Sequence, residues 1–355
     1  MKQVTIISRA EQSRAEQSRA EQSRAEQSRA EQSRDSSIQI IRALCIFAVI
    51  CIHTCPAGFS QVIARPFINF GVGTFLFLSG YLTKEETWSS SRMWRRIKRV
   101  LIPYIIWTSI YTLLSRKTEN IVYNLLTASS SAQMYYCLVY IQIVLLTGVC
   151  FRALKSRAWT ILLMLVSPVS FPIKYVQIFG GVIMLDVDNL VYGISFIPWI
   201  WYYVIGLKIR KHKKCMSLKI LLPVWFACIL LQLGEGWIWF RAGEANCGTQ
   251  IKFSAWITTT IVCLICYWRI QLWRRNSSRM ARWLTLIGDY SFGIYLCHIA
   301  VIAVMEHIPG YQGVPYVANS LLVLVISFLC CLVGDKLCRK IKIGRLNLSS
   351  VIGLK

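Results

Sequence analysis

Residues 37–55 read SIQIIRALCIFAVICIHTC. The stretch is almost wholly apolar, and the hydrocarbon core of a bilayer takes about 20 apolar residues per helix. It therefore predicts a membrane-spanning helix. Two ionisable residues interrupt the apolar run, Arg42 and His53. Because a charged side chain inside a membrane is costly, we treat both as candidate functional residues.

Further segments along the chain meet the same length requirement. The sequence thus predicts an all-α fold, a polytopic integral membrane protein with about ten transmembrane helices. The segments are Ser37–Cys55, Phe67–Thr83, Val100–Leu114, Ala132–Phe151, Trp159–Ile173, Tyr192–Leu207, Leu218–Trp237, Phe253–Trp268, Leu284–Met305 and Val317–Gly334. The third and the fifth are short for a span. The connections between segments are too short for a soluble domain.

Composition supports the membrane interpretation and removes an alternative. The 355 residues include 40 Lys plus Arg against 16 Asp plus Glu, a formal charge of +24, yet 55% of the chain is hydrophobic and only 16% is charged. An average soluble domain has about 45–50% apolar and about 25% charged residues. Basicity alone favours a nucleic-acid partner. In a chain this apolar it favours cations in cytoplasmic loops instead, so we expect the lipid bilayer and no nucleic acid as partner.

The positions of the cations predict the topology. Loops after even-numbered segments hold 24 Lys and Arg residues and loops after odd-numbered segments hold 6. The six are Arg65, Arg116, Lys117, Lys174, Arg241 and Lys252. Cytoplasmic loops carry the excess of cations, so both termini are predicted to be cytoplasmic. The chain then divides into an N-terminal extension (1–36), a membrane domain (37–337) and a basic cytoplasmic tail (338–355).

Residues 9–33 are five tandem copies of Arg-Ala-Glu-Gln-Ser. A five-residue step spreads the arginines around a helix, so no apolar stripe forms. We interpret the repeat as a solvated cytoplasmic extension, partly helical or disordered; a partner-binding arm is the alternative.

Cysteine positions predict neither disulfides nor a metal site. Most of the 14 cysteines fall inside the predicted spans, so no disulfide framework is implied. The pair Cys263 and Cys266 stands in an apolar helix without an evident second ligand pair. We therefore expect no metal.

Arg42 and His53 fall on one face of the first helix. Eleven residues correspond to about 1100° of rotation, only some 20° beyond three turns, and to about 16 Å of rise. Arg42 is placed toward the cytoplasmic half and His53 toward the outer half, so the pair could line a path across much of the membrane. Two alternatives stay open: Arg42 extends to the inner headgroups, and His53 hydrogen-bonds a neighbouring backbone group.

Two motifs follow the second predicted span. Residues 75–82 read FLFLSGYL, and the small pair Ser79-Gly80 allows close helix packing in lipid. Arg96 and Arg99 are three residues apart at a helix start, so they share a face and could bind phosphates bidentately. An ordinary topogenic cluster is the alternative for this arginine pair.

A third motif opens the ninth predicted span, where residues 288–298 read GDYSFGIYLCH. His298 is expected in the outer half, at a depth comparable with His53. Either histidine could act as a general base near neutral pH. Alternatively, Tyr295 and His298 only pack the helix bundle.

Taken in this order, these motifs resemble those of the acyltransferase-3 family of bacterial integral-membrane acyltransferases. The resemblance is carried by the residue types of Arg42 and His53 at their spacing, by Ser79 in its run, by Arg96-x-x-Arg99 before Pro103-Tyr104, by Gln133-Met-Tyr135-Tyr136, and by the segment that ends at His298. It runs from about residue 37 to residue 337.

The resemblance implies transfer of an acyl group, usually acetyl, from cytoplasmic acyl-CoA to a hydroxyl of a cell-surface or lipid-linked glycan, at the bacterial inner membrane. It implies that His53 and Arg42 are catalytic and that Arg96 and Arg99 bind CoA. Residues that could line the acceptor site or pore are Ser79, Tyr295 and His298. Acetyl-CoA is then a donor substrate, and no permanently bound cofactor is expected.

Several alternatives remain at this point. His53 either deprotonates the acceptor hydroxyl or carries the acyl group covalently. Some relatives have an additional hydrolase-like domain, which is not expected here, so the chain either acts directly on the glycan or passes the acyl group to another protein. The competing functions are a glycan transporter or exporter without acyl chemistry, and a membrane scaffold that recruits a partner through the repeat. The oligomeric state is open.

Overall fold

The structure is a computed structural model that describes residues 36–115, 121–180, 193–211, 216–272, 278–343 and 346–354. The pentapeptide repeat lies outside these described residues. So does the beginning of the sixth predicted span.

Within these ranges the chain is helical apart from one short hairpin. The helices are α1 (Ser36–Thr54), α2 (Phe59–Ile68), α3 (Phe70–Tyr81), α4 (Ser90–Leu114), α5 (Ile121–Thr127), α6 (Tyr135–Ala153), α7 (Arg157–Gly180), α8 (Ile200–Ile209), α9 (Leu218–Arg241), α10 (Phe253–Leu272), α11 (Arg279–Asp289), α12 (Ser291–Met305), α13 (Tyr316–Cys338) and α14 (Leu348–Val351). A 3-10 turn covers Tyr311–Gly313, and β1 (Lys342–Ile343) pairs antiparallel with β2 (Leu346–Asn347).

Eight helical units in the described ranges are long and apolar enough to cross a membrane. They are α1, the α2–α3 unit, α4, α6, α7, α9, α10 and α13. The bent pair α11–α12 makes a ninth if it counts as one span. Helix α8 is apolar but has only ten described residues, fewer than the roughly 20 that a span needs. A polytopic all-helical membrane fold is therefore confirmed, while ten spans and cytoplasmic termini stay predictions.

The third and fifth predicted spans are longer than the sequence suggested. Helix α4 begins at Ser90, where the Ser89 hydroxyl accepts the Arg92 N–H, and continues through the cations into the apolar part. Serine is a strong N-cap and arginine a good helix former, so hydropathy alone underestimates the helix. Helix α7 runs through Pro168 and Pro172, which neighbouring helices make tolerable in membrane proteins.

The ninth predicted span is not one straight helix, which corrects the sequence interpretation. Helices α11 and α12 differ in direction by 77°, with the break at Tyr290. Helix α11 crosses the start of α1 so closely that a Cβ on Gly288 would lie 1.9 Å from the Gln39 carbonyl oxygen. Its other side exposes Met280 and Trp283. Hydropathy missed the bend because apolar residues lie on both sides of it, so their average joins the two helices into one segment.

Glycines bring α3 and α8 into backbone contact. A Cβ on Gly80 would lie 2.1 Å from the Tyr203 carbonyl oxygen, and one on Gly206 would lie 2.2 Å from the Phe77 carbonyl oxygen. No larger residue fits at either position without moving the helices. Gly80 thus has the close-packing role expected of the Ser79-Gly80 pair.

Three loops that follow predicted even-numbered spans meet at one end of the bundle, here called the basic end. The Glu85 carboxylate lies 2.9 Å from the Lys211 amine and 3.3 Å from the Lys155 amine. The Lys211 hydrogen bond, together with Lys155, holds the pKa of Glu85 below its ordinary value. At the opposite end, the Asn69 amide donates to the Gly248 carbonyl at 3.1 Å. The predicted alternation of loops is consistent with this arrangement.

The chain after α13 folds back on the bundle. The Ser349 hydroxyl donates to one oxygen of Asp335, and the Tyr290 hydroxyl donates to the other at 2.6 Å. The Trp107 indole donates to the Ile352 carbonyl at 3.1 Å. The predicted basic tail therefore docks on α4 and α13, and its Ser349 shares the Asp335 carboxylate with Tyr290, the residue at which α11 and α12 break.

Candidate active site

A cavity of about 280 Å³ collects most of the site residues predicted from sequence, and we call it the arginine cavity. Its lining includes Arg42, Ser79, Arg96, Arg99 and Tyr295. These residues come from α1, α3, α4 and α12, which are far apart along the chain. The fold therefore brings five of the seven predicted site residues to one place.

Arg96 is held rigidly in the wall of the arginine cavity. Its guanidinium donates to the Thr83 hydroxyl at 2.5 Å and to the Ser79 carbonyl at 3.4 Å. Its Cζ lies 5.8 Å from the centre of the Trp88 ring, within cation–π distance. Ser79 thus contributes to the site by positioning Arg96.

Arg99 and Arg42 are less constrained. Arg99 is exposed at the mouth of the cavity, and it forms no hydrogen bond or ion pair with any residue in the described ranges. Arg42 is half-buried and donates to the Gln39 side-chain oxygen at 3.3 Å. The cavity therefore presents three guanidinium groups, an arrangement suited to phosphates. One carboxylate, that of Asp289, also lies in the lining.

A row of rings leads away from the arginine cavity. The Tyr136 ring lies 5.3 Å from that of Tyr295, which lies 5.9 Å from His298, which in turn lies 5.2 Å from His53. The Tyr295 hydroxyl donates to the Gln133 carbonyl, so the row is tied to the start of α6. His53 thus lies against α12 through His298, while Arg42 shares the lining of the arginine cavity with Tyr295 of the same helix.

The two histidines differ in their surroundings. His298 is fully buried, and its Nδ1 lies 2.8 Å from the Tyr295 carbonyl oxygen and 3.1 Å from that of Ile294. A backbone carbonyl oxygen can only accept a hydrogen bond, so Nδ1 carries the hydrogen and donates it, and Nε2 keeps its lone pair. This Nε2 has no hydrogen-bond partner among the described residues. His53 is half-buried and forms no hydrogen bond within the same ranges. The hydrogen bond to a backbone group that the sequence left open for His53 is therefore formed by His298 instead.

A second cavity, of about 750 Å³, lies at the opposite end, and we call it the tryptophan cavity after Trp199 and Trp239 in its lining. Ile52, the neighbour of His53, also lines it. Tyr135 lines the tryptophan cavity and Tyr136 the arginine cavity, although the two are adjacent on α6. The two cavities therefore border neighbouring residues of α6 at this point, and Tyr136 connects through Tyr295 to the histidine pair.

A family comparison agrees with this arrangement. A family model described as an acyltransferase domain matches residues 35–335. The chain belongs to the acyltransferase-3 family. It is thus a multi-pass membrane acyltransferase. No curated protein and no solved structure matches the chain significantly.

Sequence reasoning missed part of the site of this acyltransferase. Trp88 and Thr83 hold the Arg96 guanidinium in place. In the sequence, neither residue differs from an ordinary residue near a helix end. Asp289 lies within the quoted ninth-span motif, and its charge next to an apolar segment was the signal that could have identified it. No sequence motif indicated the tryptophan cavity.

No group of three or more His, Cys, Asp or Glu side chains in the described ranges is placed to hold a metal ion.

Proposed function

We propose that this membrane acyltransferase moves an acyl group, with acetyl as the expected one, from acyl-CoA to a hydroxyl of a cell-surface or lipid-linked glycan. One observation carries the proposal: three arginines line a cavity from which a row of rings leads to His53. An anionic donor fits the arginines, and a general base fits the end of the row.

The donor would bind from the basic end, which we propose faces the cytoplasm across the bacterial inner membrane. CoA phosphates cross hydrocarbon only at great cost, so their binding residues should remain at that face. Arg96 is pre-positioned by Thr83 and Trp88, and exposed Arg99 has no partner among the described residues to displace. Arg42 lies deeper along α1, where its charge can stabilise the thioester end of the donor.

The proposed chemistry is a direct transfer at His53. Its imidazole removes the proton of the acceptor hydroxyl while the oxygen attacks the thioester carbonyl. The C–S bond then breaks, and the departing thiolate takes the proton back from the imidazolium as CoA thiol. His298, oriented by its two carbonyl contacts, offers its Nε2 lone pair beside His53 and can hold the ring of His53 in the reactive orientation.

The test uses purified full-length protein in proteoliposomes, with radiolabelled acetyl-CoA on one side and bacterial surface glycan on the other. Wild-type protein is expected to label the glycan, and His53→Ala is expected to lose transfer while it still binds acetyl-CoA. His307→Ala is the control, because it removes an exposed histidine that lines neither the arginine cavity nor the tryptophan cavity.

Two outcomes would contradict the proposal. If wild-type protein never labels glycan but moves it across the bilayer, the chain acts as a glycan transporter. If His53→Ala transfers as well as wild type, acyl transfer does not run through this histidine.

A further inference from the structure

The tryptophan cavity has the features of a second binding site. It is larger than the arginine cavity, about 750 Å³ against about 280 Å³, and it lies at the opposite end of the bundle. Four aromatic side chains in its lining are Tyr123, Tyr135, Trp199 and Trp239. Polar residues from the loop between α9 and α10 complete the lining: Glu244, Asn246, Thr249 and Gln250. Aromatic surface mixed with amide and hydroxyl groups suits a carbohydrate.

Several polar atoms in the wall of this cavity have no hydrogen-bond partner among the described residues. The donors are Nε of Arg65 and Nε1 of both Trp199 and Trp239, and the acceptor is Oε1 of Gln250. Buried polar groups in proteins are nearly always paired, so such a cluster needs an explanation. Three of the four atoms are donors, and all four are buried behind the surface of the cavity. Side chains that turn toward a bound molecule would therefore favour one rich in acceptor oxygens.

The charged residues in the lining of the tryptophan cavity also favour a ligand with acceptor oxygens. Arg65 forms no ion pair with a residue in the described ranges, and Lys174 also lines the cavity. Both belong to the six cations that the sequence leaves outside the basic loops. The carboxylate of Glu244 lies in the lining too, but one of its oxygens accepts the Asn246 N–H at 3.0 Å.

We propose that the tryptophan cavity binds the acceptor and that the acceptor is an anionic glycan, a sugar with a phosphate or carboxylate that Arg65 binds. The inference rests on the proposed function, because it assigns the acceptor class of the same reaction. The bound sugar would lie against Ile52, next to His53, so one of its hydroxyls can face the general base.

A glycine positions Arg65. A Cβ on Gly248 would lie 2.4 Å from Cγ of Arg65 and 2.8 Å from Cβ of Gln61, so only glycine leaves the arginine where it is. The Gly248 N–H donates to the Gln61 side-chain oxygen at 3.3 Å, which fixes the loop on α2. Gly248→Ala should therefore move the guanidinium without removing it. Gly148 on α6 is the matched control, since a Cβ there would meet nothing within 4 Å.

The experiment measures binding, which does not require acyl transfer. Full-length protein in nanodiscs is dialysed against radiolabelled glucose 1-phosphate, with unlabelled glucose, glucuronate or inorganic phosphate as competitors. We expect saturable binding of glucose 1-phosphate, with glucuronate competing about tenfold or more better than glucose, as a charge-assisted hydrogen bond allows. Glucuronate against glucose 1-phosphate distinguishes a carboxylate from a phosphate, and inorganic phosphate shows whether the sugar contributes.

Variants assign the binding to Arg65. Arg65→Gln should remove the preference for anions, Arg65→Lys should keep part of it, and Gly248→Ala should weaken it about tenfold relative to Gly148→Ala. The inference is overturned if glucose competes as well as glucuronate, if no saturable binding occurs, or if Arg65→Gln binds as wild type does. Because the arginine cavity is not involved, these results leave labelling by acetyl-CoA as a separate test, and loss of that labelling alone would overturn the proposed function.

Discussion

The rings of His53 and His298 lie 5.2 Å apart, inclined at 51°, although 245 residues separate them along the chain. Nδ1 of His298 is bound to backbone carbonyl oxygens, so its orientation is fixed by α12 itself. His53 has no such restraint in the described structure. The pair therefore combines one fixed ring with one that can approach a substrate.

His298→Gln should lower kcat for acyl transfer about tenfold to a hundredfold and leave KM for acetyl-CoA nearly unchanged, because the change affects the orientation of His53 and not the arginine cavity. The measurement is steady-state transfer of labelled acetyl. His307→Gln should keep full kcat. A normal kcat in His298→Gln would reduce His298 to a packing residue.

Arg96→Ala and Arg99→Ala should each raise KM for acetyl-CoA about tenfold or more, because each removes a charged donor from the arginine cavity. Added salt should raise KM in wild type and less in Arg99→Ala, since exposed Arg99 is open to screening. Arg95→Ala is the control: Arg95 is exposed on the same helix and does not line the cavity. An unchanged KM in the double variant Arg96→Ala, Arg99→Ala would leave the pair with a topological role only.

Thr83→Val should cause part of the rise in KM for acetyl-CoA that is expected for Arg96→Ala. The substitution keeps the shape of the side chain but removes the hydroxyl that accepts from the Arg96 guanidinium. We expect a rise in KM that is smaller than in Arg96→Ala. We also expect no further rise when both changes are combined, because contacting residues are not additive. Additive effects in that double variant would mean that Thr83 acts elsewhere.

Gly80→Ala should destabilise the solubilised protein by about 1–3 kcal/mol or more, since the new Cβ would meet the backbone of α8. The measurement is the midpoint of thermal unfolding in detergent. Gly234→Ala serves as the control, because its Cβ would meet nothing within 4 Å in another helix of the bundle. Equal midpoints for the two variants would show that α3 and α8 are not in backbone contact.

Because of Lys252, the stability of the folded protein should depend on pH in the alkaline range. Burial lowers its pKa to about 8 from the ordinary 10.5, while its amine donates to the Cys247 carbonyl at 2.9 Å and lies over the Trp239 ring. Between these two values the unfolded chain retains a proton that the folded chain has lost, so stability rises with pH across that window. Below it both forms are charged, and the full cost of burying the cation is present.

The check compares thermal midpoints of wild type and Lys252→Met at about pH 7.5 and about pH 9.5. Wild type should gain relative to Lys252→Met as pH rises. Lys219→Met, a change at an exposed lysine, should track wild type throughout. A difference between wild type and Lys252→Met that does not depend on pH would contradict a lowered lysine pKa.

The sequence predicted most of the membrane spans and, of the two cavities, the residues of the arginine cavity. Long apolar segments identify helices such as α1 and α13 because the bilayer imposes one length on all of them. The spacing of Arg42 and His53 was informative for a similar reason, since a helix turns regularly. The break at Tyr290 was not predictable from hydropathy, because it depends on Gly288 meeting α1 and on the Asp335 contact, both distant in sequence.

The tryptophan cavity could not be predicted from the sequence either. Arg65 and Lys174 stand in different helices, and each alone looks like a stray cation outside the basic loops. Trp199 and Trp239 look like ordinary membrane aromatics. Only the tertiary fold shows that these residues share a wall, and that Nε of Arg65 and Nε1 of Trp199 and Trp239 have no hydrogen-bond partner within the described ranges.

The adjacency of Tyr135 and Tyr136 has a physiological consequence. If each lines a compartment open to a different side of the membrane, the electrical insulation of the cell depends locally on the part of α6 that carries these two tyrosines. Such a protein must keep out protons and ions as strictly as a closed channel does, yet let a small neutral group through. Replacing both tyrosines by alanine would then be judged first by leakage of current across the bilayer.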